Sequence, residues 1–301
     1  MRKFVRWVGR LLATLAVAAA VLLGLVYWRS GALLSQRIAL NEAALAIPAD
    51  ADAVARGEHL AVTRGCTDCH EHDLGGKVLV DAAPIGRIAA PNLTRGRGGI
   101  GARLDAVALE RAVRHGVDAS GRPLLYMPSV DFAGLADSDT ADLIAYVRAL
   151  PPVDRDIPAA TAGPLMRTLF VLGKAPLVDA LRIDHAAAHP TSMAADASSA
   201  YGGYLAHACS GCHGEHFSGG PVPGAPPGFP SAANITPDPS SGIGNWSKVD
   251  FYTAMRTGKR PDGRTLDTFM PWRAFATMTD TELDALWSFL HAQPARAAGG
   301  H

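Results

Sequence analysis

The sequence predicts a mainly α-helical chain, with two tandem domains behind an N-terminal membrane-spanning helix. Three observations carry that expectation. A stretch from Leu11 to Trp28 is apolar apart from Thr14 and holds no charge. Farther on, matching residues recur about 143 positions apart, the mark of an internal repeat. Both copies also space their apolar residues at helical intervals, and no run alternates convincingly as a strand would. At 301 residues, 48% hydrophobic and 19% charged, the chain can build a core. Its 28 Lys and Arg balance 28 Asp and Glu, so it lacks the cationic footprint of a nucleic-acid binder.

The apolar stretch is long enough for a slightly short membrane span. Arg2, Lys3, Arg6 and Arg10 precede it, while only Arg29 and Arg37 closely follow. That asymmetry puts the N-terminus in the cytoplasm and exports the rest. Trp7, Tyr27 and Trp28 stand at its two ends, where aromatic rings suit the interface. A cleaved signal peptide would have a shorter apolar region and a small-residue cleavage site. Here Ala18-Ala19-Ala20 runs on into apolar Val21 to Trp28, which favours an uncleaved anchor. The expected division is an anchor over 1–28, a stalk over 29–50, domains over 51–151 and 197–296 joined by a linker over 152–196, and a tail over 297–301.

All four cysteines fall in two copies of one pattern, Cys66-Thr-Asp-Cys69-His70 and Cys209-Ser-Gly-Cys212-His213. Cys-x-x-Cys-His is the attachment signature of c-type haem. Two thiols reach the two vinyl groups of one porphyrin, and the adjacent imidazole ligates the iron. Zinc sites built from two Cys pairs usually set them about 15–20 residues apart, far closer than these. Two haem c groups are therefore expected, held by Cys66, Cys69 and His70 and by Cys209, Cys212 and His213. Thioether bonds would also remove the risk of disulfides outside the cytoplasm.

The repeat supplies the sixth iron ligands. Asn92-Leu-Thr94 matches Asn234-Ile-Thr236, Gly99-Ile-Gly101 matches Gly242-Ile-Gly244, and Arg114-His-Gly116 matches Arg256-Thr-Gly258. Gly121-Arg122 and Gly263-Arg264 correspond as well. Met127-Pro128 and Met270-Pro271 each lie 57 residues after their histidine. A thioether sulfur is a soft ligand that completes a His/Met iron site, and the following proline stiffens its loop. Met255 and Met278 have no methionine in the other copy and read as core filler. His72 and His216 follow their motifs too closely to reach the opposite face of a porphyrin. His59, His115, His207 and His291 are unrepeated, and His185 and His189 fall in the linker.

Helices are expected over Asp52–Gly65, Leu104–His115, Ser199–Ala208 and Ser247–Thr257, the last with Ser247 and Asp250 as a capping box. Thr279-x-x-Glu282 caps a final helix striped by Leu283, Leu286, Trp287 and Leu290. Leu143, Ile144, Tyr146, Val147 and Leu150 repeat that stripe. Prolines 221, 223, 226, 227, 230, 237 and 239 exclude regular structure and suggest a loop walling the second haem pocket. Within the linker, Pro164–Ile183 is apolar enough to pack on a domain or to touch lipid, with packing preferred. Gly96-x-Gly98-x-x-Gly101 imitates a dinucleotide fingerprint without a preceding strand. Asn92, Asn234 and Asn245 begin glycosylation sequons.

Together these residues resemble class I c-type cytochromes. Asn234-Ile-Thr-Pro-Asp-Pro, Gly242-Ile-Gly-Asn-Trp-Ser, Ala254-Met-Arg-x-Gly258, Met270-Pro-Trp and Met278-Thr-Asp are similar to the cytochrome c subunits of membrane-bound bacterial alcohol and gluconate dehydrogenases. Those subunits carry three haem motifs where this chain has two, and this anchor is N-terminal. The resemblance implies two tandem class I cytochrome c-like folds with the motif residues above as haem anchors and ligands. It also implies transfer of single electrons from a periplasmic or membrane-bound dehydrogenase to the quinone pool, an oxidase or another cytochrome. The location implied is the bacterial inner membrane with the haem domains in the periplasm. A dihaem peroxidase-like enzyme is the alternative, though it needs an exchangeable iron position that Met in both copies denies.

Overall fold

The computed structural model describes residues 1–41, 44–222, 225 and 228–299. Pro223, Pro226 and Pro227 of the expected loop, two residues of the expected stalk and the last two of the tail lie outside the described residues. The first helix, α1 (Arg2–Leu34), continues past Trp28 because nothing in Arg29–Leu34 breaks it. Among the described residues it is the one helix long and apolar enough to cross a membrane. The chain after it does not hang free as a stalk. The Ile38 amide donates to the Gly121 carbonyl at 2.9 Å, and Arg37 donates to the Ser120 carbonyl at 2.9 Å.

Each repeat is built on one crossing of two helices. In the first, α2 (Ala51–Thr63) is capped by Asp50, whose carboxylate accepts from the Ala53 amide. After the short α3 (Cys66–His70) and the later α4 (Ala106–Glu110) comes α5 (Asp137–Ala149), which packs against α2. The approach is so close that a Cβ on Gly57 would stand 2.1 Å from the Asp142 carbonyl oxygen. A helix over Leu104–His115 was expected, and α4 does run on, but as a π-turn over Arg111–His115 ended by left-handed Gly116. Ala61, Leu74, Leu143 and Tyr146 form a small core.

The first domain also holds strands that the sequence pattern did not predict. β1 (Lys77–Ala82) pairs antiparallel with β2 (Gly86–Ala90), and β3 (Thr161–Ala162) adds to the far side of β2. The pairing slips between Val78 and Val80, so the apolar run Val78-Leu79-Val80 carries no period of two. β3 comes from the expected linker, which wraps the first domain. The Val153 amide donates to Thr94 Oγ1 at 2.9 Å, Arg155 is bonded to Asp73, and Leu177, Val178 and Ala180 are buried. Packing thus holds for the end of Pro164–Ile183. Its beginning, α6 (Pro164–Val171), has no buried residue and leans on α1.

In the second domain, α7 (Ser199–His213) runs unbroken through the cysteine motif, beyond its expected end at Ala208. In the first, left-handed Gly65 separates α2 from α3. α8 (Lys248–Thr257) and α10 (Asp280–His291) carry both expected capping boxes, with the short α9 (Trp272–Phe275) between them. α7 crosses α10 at Gly202, where a Cβ would stand 1.9 Å from the Ala285 carbonyl oxygen. Leu283, Leu286 and Leu290 are buried as the stripe requires, in a core with Leu205, Phe217, Phe251 and the two unrepeated methionines, Met255 and Met278.

Candidate haem sites

The first motif is presented by a helix so short that Cys66, Cys69 and His70 all turn toward one cavity. Met127 lines the same cavity, and the remaining wall is largely apolar, including Ile88, Leu93, Ile100, Leu109, Phe132 and Ile144. His70 is buried, and its Nδ1 lies 2.9 Å from the Pro91 carbonyl oxygen. A carbonyl only accepts, so Nδ1 carries the proton and Nε2 keeps a lone pair. Burial holds the imidazole below the usual histidine range, which keeps it a neutral ligand. Burial also pushes the Cys66 thiol up to about 12. Two thiols, one imidazole lone pair and one thioether around an apolar slot fit a haem c.

The second motif repeats the histidine's contact, with His213 half-buried and Cys212 exposed. His213 Nδ1 lies 2.7 Å from the Ala233 carbonyl oxygen, and burial again depresses the imidazole. Ala233 lies within the proline-rich segment, between Pro230 and Pro237, so that loop does reach His213. Burial pushes Cys209 up to about 11. Cys209 and Met270 are half-buried against the same hydrophobic core. The two prolines after the methionines share one conformation, Pro128 at φ −81°, ψ 57° and Pro271 at φ −77°, ψ 48°, each opening a short helical turn, while Tyr126 before Met127 is left-handed at φ 63° and Phe269 before Met270 is not.

Two repeated devices hold these sites, and the sequence pairing alone assigned them no role. Asn92 follows the carbonyl that holds His70. Its amide donates to the Val153 and Arg155 carbonyls, and its oxygen accepts from the Thr94 amide and hydroxyl. Asn234 and Thr236 do the same with the Arg296 carbonyl. Both asparagines are buried, so these two sequons are structural clamps, while Asn245 is exposed. The second device is Arg114, which donates to Glu110, to the Leu135 carbonyl and to Asp137 at the start of α5. Arg256 likewise binds the Ala276 and Met278 carbonyls and Asp280 at the start of α10. Each arginine ties the helix before the Met loop to the helix after it.

Six other histidines are unrepeated or fall in the linker: His59, His115, His185, His189, His207 and His291. None of these lines the first cavity. His115 bonds His185 at 2.9 Å, with the His189 ring beside it. His59 joins the domains through Glu282 at 2.9 Å, and His207 donates to the Val130 carbonyl. Gly96–Gly101 is a turn packed on the backbone of Val153 and Arg155, and it opens only the three-residue 3₁₀ turn Gly101–Arg103, not the α-helix that a dinucleotide site needs. Between the motifs sits Arg64, buried, donating to the Leu205 carbonyl at 2.9 Å with its guanidinium 5.1 Å from the Tyr204 ring centre. The Tyr204 hydroxyl donates in turn to Asp139 at 2.6 Å.

Comparison with known proteins agrees with this geometry. The family model for cytochrome c matches twice, over residues 54–151 and 200–293. The fructose dehydrogenase cytochrome subunit of Gluconobacter japonicus is 29% identical over 276 residues, covering 82% of this chain and 54% of that protein. The cytochrome c subunit of the quinone alcohol dehydrogenase of Gluconobacter oxydans is 40% identical over 85 residues, 27% of this chain and 18% of its own length. The cytochrome c subunit of gluconate 2-dehydrogenase from Pantoea cypripedii is 39% identical over 112 residues, 35% of this chain and 25% of its own. The chain thus spans about half the length of the first of these relatives, and less of the other two.

Proposed function

The chain belongs to the cytochrome c family, and from that premise we propose that it is a membrane-tethered carrier of single electrons, serving a periplasmic or membrane-bound dehydrogenase. Two cytochrome c domains imply two covalently bound haem c groups. The residues we assign to them are Cys66, Cys69, His70 and Met127 in the first domain, and Cys209, Cys212, His213 and Met270 in the second. The observation that carries the assignment is the convergence of Cys66, Cys69, His70 and Met127 on one apolar cavity. A haem bound there supplies a one-electron ferric/ferrous couple.

The protein's own part is to hold ligands and exclude water. The Pro91 and Ala233 carbonyls keep each imidazole proton on Nδ1 and aim Nε2 at the slot. The Asn-x-Thr clamps hold those carbonyls still. Pro128 and Pro271 stiffen the methionine loops, so the ligand set need not rearrange when charge changes. Apolar burial and the thioether ligand favour the reduced state and raise the potential. α1 would confine the carrier to the membrane of its partners and raise their effective concentration. The dehydrogenase donor is supported by the relatives' names, and a quinone pool, oxidase or further cytochrome is the acceptor class that completes such a chain.

Met127→Leu and Met270→Leu test the assignment. Each should remove about half of the methionine–iron charge-transfer absorption and lower the potential of one haem only. Two unchanged spectra would refute it. Carbon monoxide separates the carrier from a dihaem peroxidase-like enzyme. The reduced native protein should bind none, whereas one equivalent bound at a single haem would indicate an exchangeable iron position.

A further inference from the structure

Apart from α1, the described residues leave few large apolar side chains in the open, and two of them lie on α6. Leu165 is 44% exposed and Leu172 at its end is 63% exposed. They are seven residues apart, with Leu169 between them, and so share one face of the helix. No residue of α6 is buried, and its single charge, Arg167, is directed elsewhere. Arg167 donates to Ser30 Oγ at 2.9 Å and to the Ala162 carbonyl at 3.1 Å, with its guanidinium 4.8 Å from the centre of the Tyr27 ring. Ser30 is fully buried.

Those contacts set the height of α6 along α1. The uncharged segment Leu11–Trp28 spans about 27 Å as a helix, close to the roughly 30 Å of a bilayer's hydrocarbon. If α1 crosses the membrane, Tyr27 and Trp28 stand at its outer boundary and Ser30 just above, in the headgroup layer. Arg167 pins α6 to that level. The exposed face then meets lipid where interfacial amphipathic helices insert, with Lys174 following to meet phosphate.

We propose that α6 is a membrane-surface helix whose Leu165–Leu172 face seats the first haem domain on the same bilayer that α1 crosses. The proposal rests on the anchor reading of α1. It gives the two domains different stations. β3 precedes α6 directly and pairs with β2, whose Ile88 lines the first cavity, and the Tyr126 hydroxyl beside Met127 donates to the Thr161 carbonyl in β3. The first haem site is therefore tied to the membrane surface through β3. Electron exchange with a membrane-dissolved carrier would use the first haem.

Depth measurement on the full-length, haem-loaded chain tests this, since its own four cysteines are then tied up as thioethers. Leu165→Cys and Leu172→Cys, spin-labelled in nanodiscs of phosphatidylethanolamine and phosphatidylglycerol with the haems reduced, are compared with Leu15→Cys in α1 and Val249→Cys on the second domain. Unchanged visible spectra show that each variant is folded. Labels at 165 and 172 should be at least threefold more accessible to oxygen, relative to a water-soluble nickel chelate, than the label at 249. The label at 15 should be more so still. A lipid-like label at 15 with water-like labels at 165 and 172 overturns the proposal and leaves the anchor standing. A water-like label at 15 removes the anchor and the proposal with it. Labels at 165 and 172 shielded from both reagents would place this face against a second copy instead, which also overturns it.

Discussion

The two haem domains repeat one motif and the same latches but surround them differently. The second domain buries a continuous core of leucines, methionines and aromatic rings between α7, α8 and α10. In the first, Ala61, Leu74, Leu143 and Tyr146 cluster together, while other buried apolar residues, among them Leu109, Phe132 and Ile144, face the cavity. The first domain's arginine latch is the more deeply buried of the two, and borrowed linker chain is added through the Asn92 clamp onto Val153, the Arg155–Asp73 pair and the β3 wrap. The first ligand set thus depends more on a buried net of directional bonds. A net fails differently, because losing one partner leaves another buried and unpaid for in solvation.

The largest expected difference comes from removing the cofactor. His70→Ala with Cys66→Ser should leave one covalent haem per chain and abolish cooperative unfolding of the first domain. His213→Ala with Cys209→Ser should also leave one haem, yet the second domain should keep most of its helicity. Haem stoichiometry and far-ultraviolet circular dichroism report both, and equal helix loss in the two variants would break the contrast.

Next comes the matched arginine pair. The Arg114 and Glu110 side chains are 2% and 4% exposed, so Arg114→Met should cost about 3–5 kcal/mol. Arg256 is 31% exposed and its partner Asp280 is 83% exposed, so Arg256→Met should cost about 1 kcal/mol. Urea titration of the holoprotein measures both. Gly57→Ala and Gly202→Ala sharpen the comparison from the other side, because the crossings are alike. Each should cost about 1–3 kcal/mol through overpacking, and the two midpoints should fall by similar amounts.

The smallest effect lies at the joint. Asp131 follows the first Met-Pro turn and rests against Gly211, where a Cβ would stand 3.2 Å from its Oδ1. Burial, reinforced by the nearby Asp179 carboxylate, pushes its carboxyl up to about 6, while His207 and Arg182 oppose the shift. The folded state therefore holds this proton more tightly than the unfolded chain does. Its contribution to stability is full below the ordinary carboxylate range and is lost as pH rises through about 6. Asp131→Asn should flatten that decline, raising stability at pH 7.5 relative to wild type and leaving pH 4 little changed. Glu282 works in the other sense. Burial would raise it, but His59 and the Thr279 cap hold it below the usual range, so its contribution disappears only when pH falls through that depressed value.

Much of each site was legible because its chemistry is local. Two thiols and an imidazole within five residues need no long-range fold to be recognised, and the Met-Pro turns could be found because the repeat brackets them. Capping boxes at Ser247 and Thr279 were equally readable, each being four residues long. The strands were not, since the slip between Val78 and Val80 erases the alternation that announces a strand. Nor could sequence show that Arg114 and Arg256 are latches: apart from Glu110, their partners lie 20 to 24 residues away and are mostly backbone carbonyls, which have no letter in the sequence.

By itself the sequence determined the cofactor type, the number of haems, the ligand candidates and the apolar N-terminal helix, because covalent chemistry and helical period are written in neighbouring residues. Tertiary structure decided the rest. It turned the linker into a wall of the first domain and set Arg64 between the two motifs. It also left one face of α6 open beside the anchor. Those outcomes depend on which distant surfaces meet, and a contact between distant residues leaves no mark on the spacing of either.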